Sequence, residues 1–237
     1  MTNMFERFRA LGTALVSDVL DEAGYHSQTL DPTLGPVGAF EPACGPAICV
    51  SGERSVTTRT AAGPDATLPL YNLPTLAQPG GILVFATSGF RGGGVTGELL
   101  ALDLKSAGVV GMVTDGMVRD KTALAQIGLN VVAAGVIPTN GARRFQITGW
   151  GQSVTLPGPE GGRVSIAPGD LVLMDADGVL IIPNDAAARV LEMAEELARK
   201  EEILKSNTTT QSAEVRAKAR AERMSHMVWL RHPEVSR

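Results

Sequence analysis

The chain has 237 residues, 44% of them hydrophobic and 19% charged, with a formal net charge of −4. Those proportions belong to folded globular proteins, and the acidic balance argues against nucleic acid as a partner, because domains that bind it carry a basic face. No apolar run is long enough to span a bilayer, and MTNMFERFRALG at the start lacks an apolar leader core, so the expected compartment is the cytoplasm, with no membrane partner.

Aromatic residues make up 4%, against 27 Gly and 14 Pro, which predicts many tight turns around a core of Val, Leu, Ile and Ala. Cys44 and Cys49, five apart in a Gly/Pro-rich segment, form neither a disulfide framework nor a zinc set and read as buried free thiols. Glu6 to Gly24 reads as an amphipathic helix interrupted near Gly12–Thr13, with Thr13 or Ser17 as N-cap and Gly24 as the stop. Asp18 and Asp21 on it read as a solvated face, and His26 as a loop residue. Dense Pro and Gly from Leu30 to Pro46 predict a loop leading into a strand at Ala47–Ser51, with a second over Arg54–Thr60. Leu68–Ala77 reads as a short helix or turn, and Ile82–Ala86 as a buried strand.

Next comes GGGVTGELLALDLKSAGVVGMVTDGMVRD, Gly92 to Asp120, around which the chain is organised. A glycine loop opens a helix whose buried side is assigned to Leu99, Leu102 and Leu104. Gly108 stops it, Val109–Val113 forms a strand, and a turn presents Arg119 and Asp120. A glycine-rich helix entry leaves backbone N–H groups free for an anion. Arg119 offers a bidentate anion clamp and Asp120 a hard-cation ligand. The loop fits neither a P-loop, lacking its Lys-Ser/Thr, nor GxGxxG. Asp115 reads as a turn aspartate. Lys105 falls on an exposed helix face, which disfavours a Schiff-base role.

A helix at Thr122–Ile127 and a strand at Asn130–Ala134 follow. Phe145–Thr148 and Gln152–Leu156 read as a hairpin through Gly149-Trp150-Gly151. Val164–Ile166, Asp170–Asp175 and Gly178–Ile182 complete the strands. Pro183-Asn184-Asp185 caps a long helix, Ala186 to about Lys205, charged along one side by residues that include Glu195, Glu196 and Glu201. A polar linker from Ser206 leads to a basic helix, Ala213 to about Leu230. His226 and His232, with Trp229, read as a terminal helix edge, and no Ser-His-Asp arrangement can be built. The order predicts an α/β fold with a layered central domain over 1–205 and a linker with a helical extension over 206–237. The C-terminal helices carry too little apolar surface for a core of their own, so they are expected to pack on a neighbouring subunit.

Gly97-Glu98-Leu99-Leu100 followed by Arg119-Asp120 resembles the signature of the RraA-like family, which includes the 4-hydroxy-4-methyl-2-oxoglutarate and 4-carboxy-4-hydroxy-2-oxoadipate aldolases. Val16-Ser-Asp-Val-Leu and the run from Val164 to Pro183 are similar to the same family, so the resemblance covers most of the chain. It implies a β/β/α swivelling-type domain, a homotrimer or homohexamer with sites between subunits, and a Mg²⁺- or Mn²⁺-dependent pyruvate aldolase with oxaloacetate decarboxylase activity. Asp120 would then bind the metal, Arg119 would hold the 2-oxo acid and its enolate, and the amides around Gly97, Leu99 and Leu100 would take the carboxylate. Glu98 would orient water on the metal or assist proton transfer, and Glu201 of a neighbouring subunit, or Glu195 or Glu196, would complete the site.

Two departures stand out against the family. Glu98 replaces a common Asp, and the chain beyond Asn207 exceeds the usual short tail. The same family includes non-catalytic regulators that bind ribonuclease E; they typically lack the acid after the Arg, so Asp120 favours the enzyme. Members labelled menaquinone methyltransferases have no counterpart here, because no methyl-donor motif is present.

Overall fold

The computed structural model describes residues 3–38, 40–55 and 68–231. It opens with α1 (Met4–Leu11) and α2 (Thr13–Glu22), followed by β1 (Gly35–Pro36) and β2 (Ala43–Arg54). β3 (Leu68–Pro69) leads through a 3-10 turn to β4 (Ile82–Ala86), α3 (Glu98–Ser106) and β5 (Gly111–Thr114). β6 (Met117–Val118), α4 (Lys121–Ile127), β7 (Asn130–Ala133) and β8 (Gly135–Val136) come next. β9 (Phe145–Trp150), β10 (Val154–Pro157), β11 (Arg163–Ile166), β12 (Leu171–Asp175) and β13 (Gly178–Ile182) complete the strands. α5 (Ala187–Ser206) and α6 (Ala213–Glu222) close the order. The expected strand over Arg54–Thr60 lies, beyond Ser55, outside the described residues.

β2 is the spine of a nine-stranded mixed sheet. Its start pairs antiparallel with β12, Ala47–Ser51 pair parallel with β4, and Val50–Arg54 pair antiparallel with β9. A register shift at Ser51/Gly52 lets one strand serve these partners. A Cβ on Gly52 would stand 2.4 Å from Phe145 Cε1, so only glycine admits β9 at this point. β4, β5 and β7 run parallel, with α3 and α4 as their crossovers.

Side-chain alternation splits the sheet into two buried faces. Leu83, Phe85, Met112 and Val131 face Leu100, Ala101 and Leu104 of α3 and Leu124 of α4. Ile82, Val84, Val113 and Val132 face Val154, Leu156, Val164 and Ile166 of the β10–β11 hairpin. The result is an α/β fold in which the sheet lies between a hairpin and a helical layer. A third cluster joins Phe8 of α1, Val16, Val19 and Leu20 of α2 and Val190, Leu191, Ala194 and Leu197 of α5 to Leu171 and Leu173 of β12 and Leu180 and Ile182 of β13.

Several sequence expectations are corrected. The hairpin drawn through Gly149-Trp150-Gly151 does not form: β9 pairs with β2 and β3, and β10 with β11. Two sheets were available to these segments, and burial against the spine outweighed the local turn signal. Neither Thr13 nor Ser17 caps α2. Gly12 (φ 81, ψ 162) is the junction, and Asp175 of β12 accepts from Thr13 N at 2.7 Å and Thr13 Oγ1 at 2.6 Å, so the cap comes from across the fold. Asp185 and Asn184 do not cap α5 through a side chain; its N-cap is Ala186. α5 also buries its first turns within its own chain rather than needing a neighbour for them. The second helix is shorter than expected and ends at Glu222; after it the chain folds back, and Leu230 N donates to Ala23 O. No helix among the described residues is long and apolar enough to cross a membrane.

Candidate functional site

Two elements remote in sequence meet at the start of α3. The loop 92–97 runs beside β6, where Val95 N donates to Met117 O and Arg119 N to Thr96 O. Gly94 is pressed against Asn140 and Gly141, and a Cβ on Gly141 would stand 2.4 Å from Gly94 O. The glycines of the loop are therefore close-approach residues, which admit the Thr139–Gly141 turn on one side and Arg119 on the other.

Asp120 has a left-handed backbone (φ 59, ψ 42) at the N-cap of α4, and its side chain makes no cap to that helix. Its Oδ2 instead accepts from Glu98 N, in the first turn of α3, at 3.1 Å. Arg119 Nε lies 3.4 Å from the same oxygen. Both side chains are about a third exposed (32% and 36%), and a pair so hydrated stabilises a fold by only about 0–1 kcal/mol. A left-handed non-glycine residue costs on the order of 1–3 kcal/mol. Asp is among the residues that adopt this backbone most readily, so its strain lies at the low end of that range and the pair contributes little to stability.

The pit beside them is lined by Tyr71, Thr96, Gly97, Leu99, Leu100, Arg119 and Asn140. Thr96 is 2% exposed and its Oγ1 has no hydrogen-bond partner. An unsatisfied buried hydroxyl costs about 1–3 kcal/mol. Asn140 Nδ2 donates to Tyr71 Oη at 3.3 Å across the rim. The pit encloses only about 20 Å³. Larger clefts of 240, 300 and 350 Å³ lie elsewhere, and of the predicted site residues they hold Glu201 alone, on the first. Leu99 (68% exposed) and Tyr71 (58% exposed) edge the pit.

Of the residues singled out in the sequence, Gly97, Leu99, Leu100 and Arg119 line the pit; Asp120 adjoins it through Arg119 and Glu98 N without lining it, and Glu98 is exposed. The helix register differs from expectation. Leu99 and Leu102 are exposed, and Leu100, Ala101 and Leu104 take the core. The start at Gly97 turns Leu99 toward the pit instead.

Thr96, Tyr71 and Asn140 were missed. Thr96 lay within the highlighted loop as the one hydroxyl among glycines. Tyr71 and Asn140 come from a 3-10 turn and a distant loop with no motif to mark them.

The acids of α5 have partners in their own chain. Arg7 donates twice to Glu195, at 2.7 Å each, and Glu196 pairs with Arg199. Glu201 Oε1 lies 3.4 Å from Arg223 Nε. None of them lines the pit.

Four other residues take structural roles. Lys105 Nζ donates to Ile127 O, the last carbonyl region of α4. Asp115 is buried and accepts from Thr87 N (2.6 Å), Thr87 Oγ1 (2.8 Å) and Gly89 N (2.8 Å), so it latches the loop after β4. Burial pushes the Cys44 and Cys49 thiols up to about 12, and both stay protonated and inert at neutral pH.

The donor chemistry suits a hard divalent ion. Asp120 contributes carboxylate oxygen, and Mg²⁺ is commonly held by one or two carboxylates with water and ligand oxygens filling the remaining positions. No group of three His, Cys, Asp or Glu side chains converges among the described residues, so within one chain any such ion would rest on Asp120 alone of the predicted ligands.

Comparison with known proteins fixes the family. The model described as Aldolase/RraA matches residues 13–181. The chain belongs to the RraA-like family. A protein of Halalkalibacterium halodurans, provisionally named 4-hydroxy-4-methyl-2-oxoglutarate aldolase, is 29% identical over 188 residues, covering 79% of this chain and 80% of its own.

Two solved structures share the fold. An uncharacterized protein from Pseudomonas syringae pv. tomato has a TM-score of 0.75 at 21% identity, covering 92% of this chain and 96% of its own. Streptomyces coelicolor RraAS2, described as an unusual member of the RNase ES inhibitor RraA protein family, has a TM-score of 0.70 at 23% identity, covering 86% and 97%. At these identities the likeness is one of fold. RraA-like membership accounts for the layered sheet and for the loop–helix–turn unit that carries Arg119 and Asp120.

Proposed function

We propose that the pit at the start of α3 binds a small 2-oxo acid, and that the chain is a divalent-metal-assisted carbon–carbon lyase of the pyruvate class. The observation that carries this reading is Asp120, held in a left-handed backbone with its carboxylate beside Arg119 and the α3 N-terminus. The first N–H groups of a helix have no intrahelical acceptor and favour an anion, so those of Leu99 and Leu100 suit the substrate carboxylate. Arg119 is placed to stabilise the oxyanion that develops on the 2-oxo oxygen when the C3–C4 bond breaks. Thr96 Oγ1 is an unused hydrogen-bonding group at the floor. A divalent ion on Asp120, when bound, supplies Lewis-acid polarisation of the same oxygen. Oxaloacetate decarboxylation develops the same charge, and the proposal includes it.

A second reading is a non-catalytic regulator that binds ribonuclease E. It is favoured by the likeness to Streptomyces coelicolor RraAS2, a member of the RNase ES inhibitor RraA protein family, whose fold this chain follows over 97% of that protein. Taken together, the comparisons lend this reading more support than the lyase; the local geometry of Asp120 is what supports the lyase.

One pair of assays separates the two. Pyruvate release from oxaloacetate and from 4-hydroxy-4-methyl-2-oxoglutarate is followed with Mg²⁺ and then with excess EDTA, alongside RNA cleavage by purified ribonuclease E with the chain added. Release that EDTA abolishes and Mg²⁺ restores is the expected result. No release from either substrate, with saturable inhibition of the nuclease, would replace the lyase by the regulator.

A further inference from the structure

A cavity of 240 Å³ lies between the end of α5 and α6, far along the chain from the family match, which stops at residue 181. Its walls include Glu201, Leu204, Lys205, Arg216, Arg220 and Arg223. Arg216, Arg220 and Arg223 are spaced i, i+4, i+7, which puts them on one face of the α6 turn and its cap. Arg223 is already neutralised: its Nε lies 3.4 Å from Glu201 Oε1 and its second guanidinium nitrogen 3.5 Å from Asp18 Oδ2. Lys205, Arg216 and Arg220 form no ion pair with a carboxylate among the described residues. Arg216 Nε is buried with no hydrogen-bond partner. Three uncompensated cations thus converge on one cavity in a chain whose net charge is −4.

We propose that Lys205, Arg216 and Arg220 form an anion site that takes the phosphate group of a small molecule. Like charges brought together repel, and a buried guanidinium nitrogen without an acceptor is costly, so the arrangement is completed by an anion with several oxygens. The guanidinium fork matches phosphate geometry, and the lysine adds a point charge. The volume falls below the ~300–1,000 Å³ usual for small-molecule pockets, so the occupant is a phosphate with little attached. A nucleic-acid backbone needs a continued basic stripe, and here Glu214 and Glu222 interrupt the same helix. The site lies beyond the family match and includes none of Gly97, Leu99, Leu100, Arg119 and Asp120.

Isothermal titration of the full chain with inorganic phosphate, at constant ionic strength set by chloride, tests the assignment. One saturable site per chain is expected, weakened about tenfold or more in the Arg216→Gln, Arg220→Gln double variant by loss of two charge-assisted contacts. An Arg163→Gln control, on β11, should bind as the parent does. Circular dichroism checks that the double variant is folded, the expected outcome because Arg220 is exposed and the half-buried Arg216 makes no ion pair that the fold would lose. Absence of saturable binding, or equal binding by the double variant, overturns the site. Tighter binding of an oligoribonucleotide without a terminal phosphate overturns the small-molecule assignment and gives the face to RNA.

Discussion

Asp120 turns its carboxylate away from the helix it begins and onto the first turn of another, accepting from Glu98 N at 3.1 Å while α4 is left without a side-chain cap. One residue therefore sets the spacing between the end of β6 and the start of α3. It does so with the oxygen that also faces Arg119.

The charge on Asp120 and its shape can be separated. Asn tolerates the left-handed backbone and can still accept from Glu98 N, so Asp120→Asn should melt within a few degrees of the parent. Metal-dependent pyruvate release should nevertheless fall by about a hundredfold or more, as for loss of a charged group at a reacting centre. Steady-state kinetics with a Mg²⁺ titration checks this, and full turnover in the variant would remove Asp120 from the metal role.

Gly97 tests the packing of the same corner. A Cβ there would lie 2.5 Å from Asp120 Oδ2 and 2.8 Å from Arg119 Cγ. Its φ of −160° is extended, so the obstacle is contact rather than backbone conformation. Gly97→Ala should cost about 1–3 kcal/mol in urea unfolding as an overpacked contact. It should also abolish 2-oxo acid binding measured by calorimetry, since both functional side chains must move.

Asp115 should matter for stability and not directly for chemistry. Asp115→Ala leaves the buried Thr87 N–H and hydroxyl without their acceptor. Loss of a buried charged acceptor predicts about 2–4 kcal/mol of destabilisation, read from the urea midpoint at unchanged slope. A variant that unfolds like the parent would show that the latch is dispensable.

The Arg7–Glu195 bridge predicts an acid limb. The hydrogen bond from Arg7 holds the Glu195 carboxyl below its ordinary value, with the Arg7 charge adding to the effect. A carboxylate whose folded value is depressed stabilises the fold above the unfolded value, about 4.3, and loses that contribution as pH falls through the folded value. Glu195→Gln should therefore lower stability at pH 7 and converge on the parent below about pH 4. Denaturation midpoints across pH 3 to 7 measure it, and curves that stay parallel to acid would remove this pair from the pH response.

Legibility varied with how local the cause was. Ile82–Ala86 and Gly178–Ile182 were bounded to the residue, because short apolar runs flanked by turn residues such as Pro79-Gly80-Gly81 and Pro183 read as buried strands. Arg119 and Asp120 were singled out by their place just past a buried strand and by the resemblance of Gly97-Glu98-Leu99-Leu100 and Arg119-Asp120 to the family signature. The register of α3 was misread because Leu99, Leu100, Leu102 and Leu104 are equally apolar, and only the landing of the glycine loop decides which pair faces the sheet. β9 failed differently: its partner, β2, lies far away in sequence, and a Gly-Trp-Gly turn looks the same whether or not the strands beside it pair. Tyr71 and Asn140 reach the pit from segments whose local chemistry says nothing of a ligand.

The spine strand also has a consequence for synthesis. β2 is made early, but its antiparallel partners β9 and β12 begin only at Phe145 and Leu171. At about 5–20 residues per second, roughly 6 to 24 s pass on the ribosome between β2 and β12. Throughout that interval the Ala43–Pro46 edge of β2 is a row of open backbone donors and acceptors in an apolar segment. Until β12 is made that edge lacks the strand that covers it in the folded chain, and slower passage between β4 and β12 lengthens the time for which it stands open.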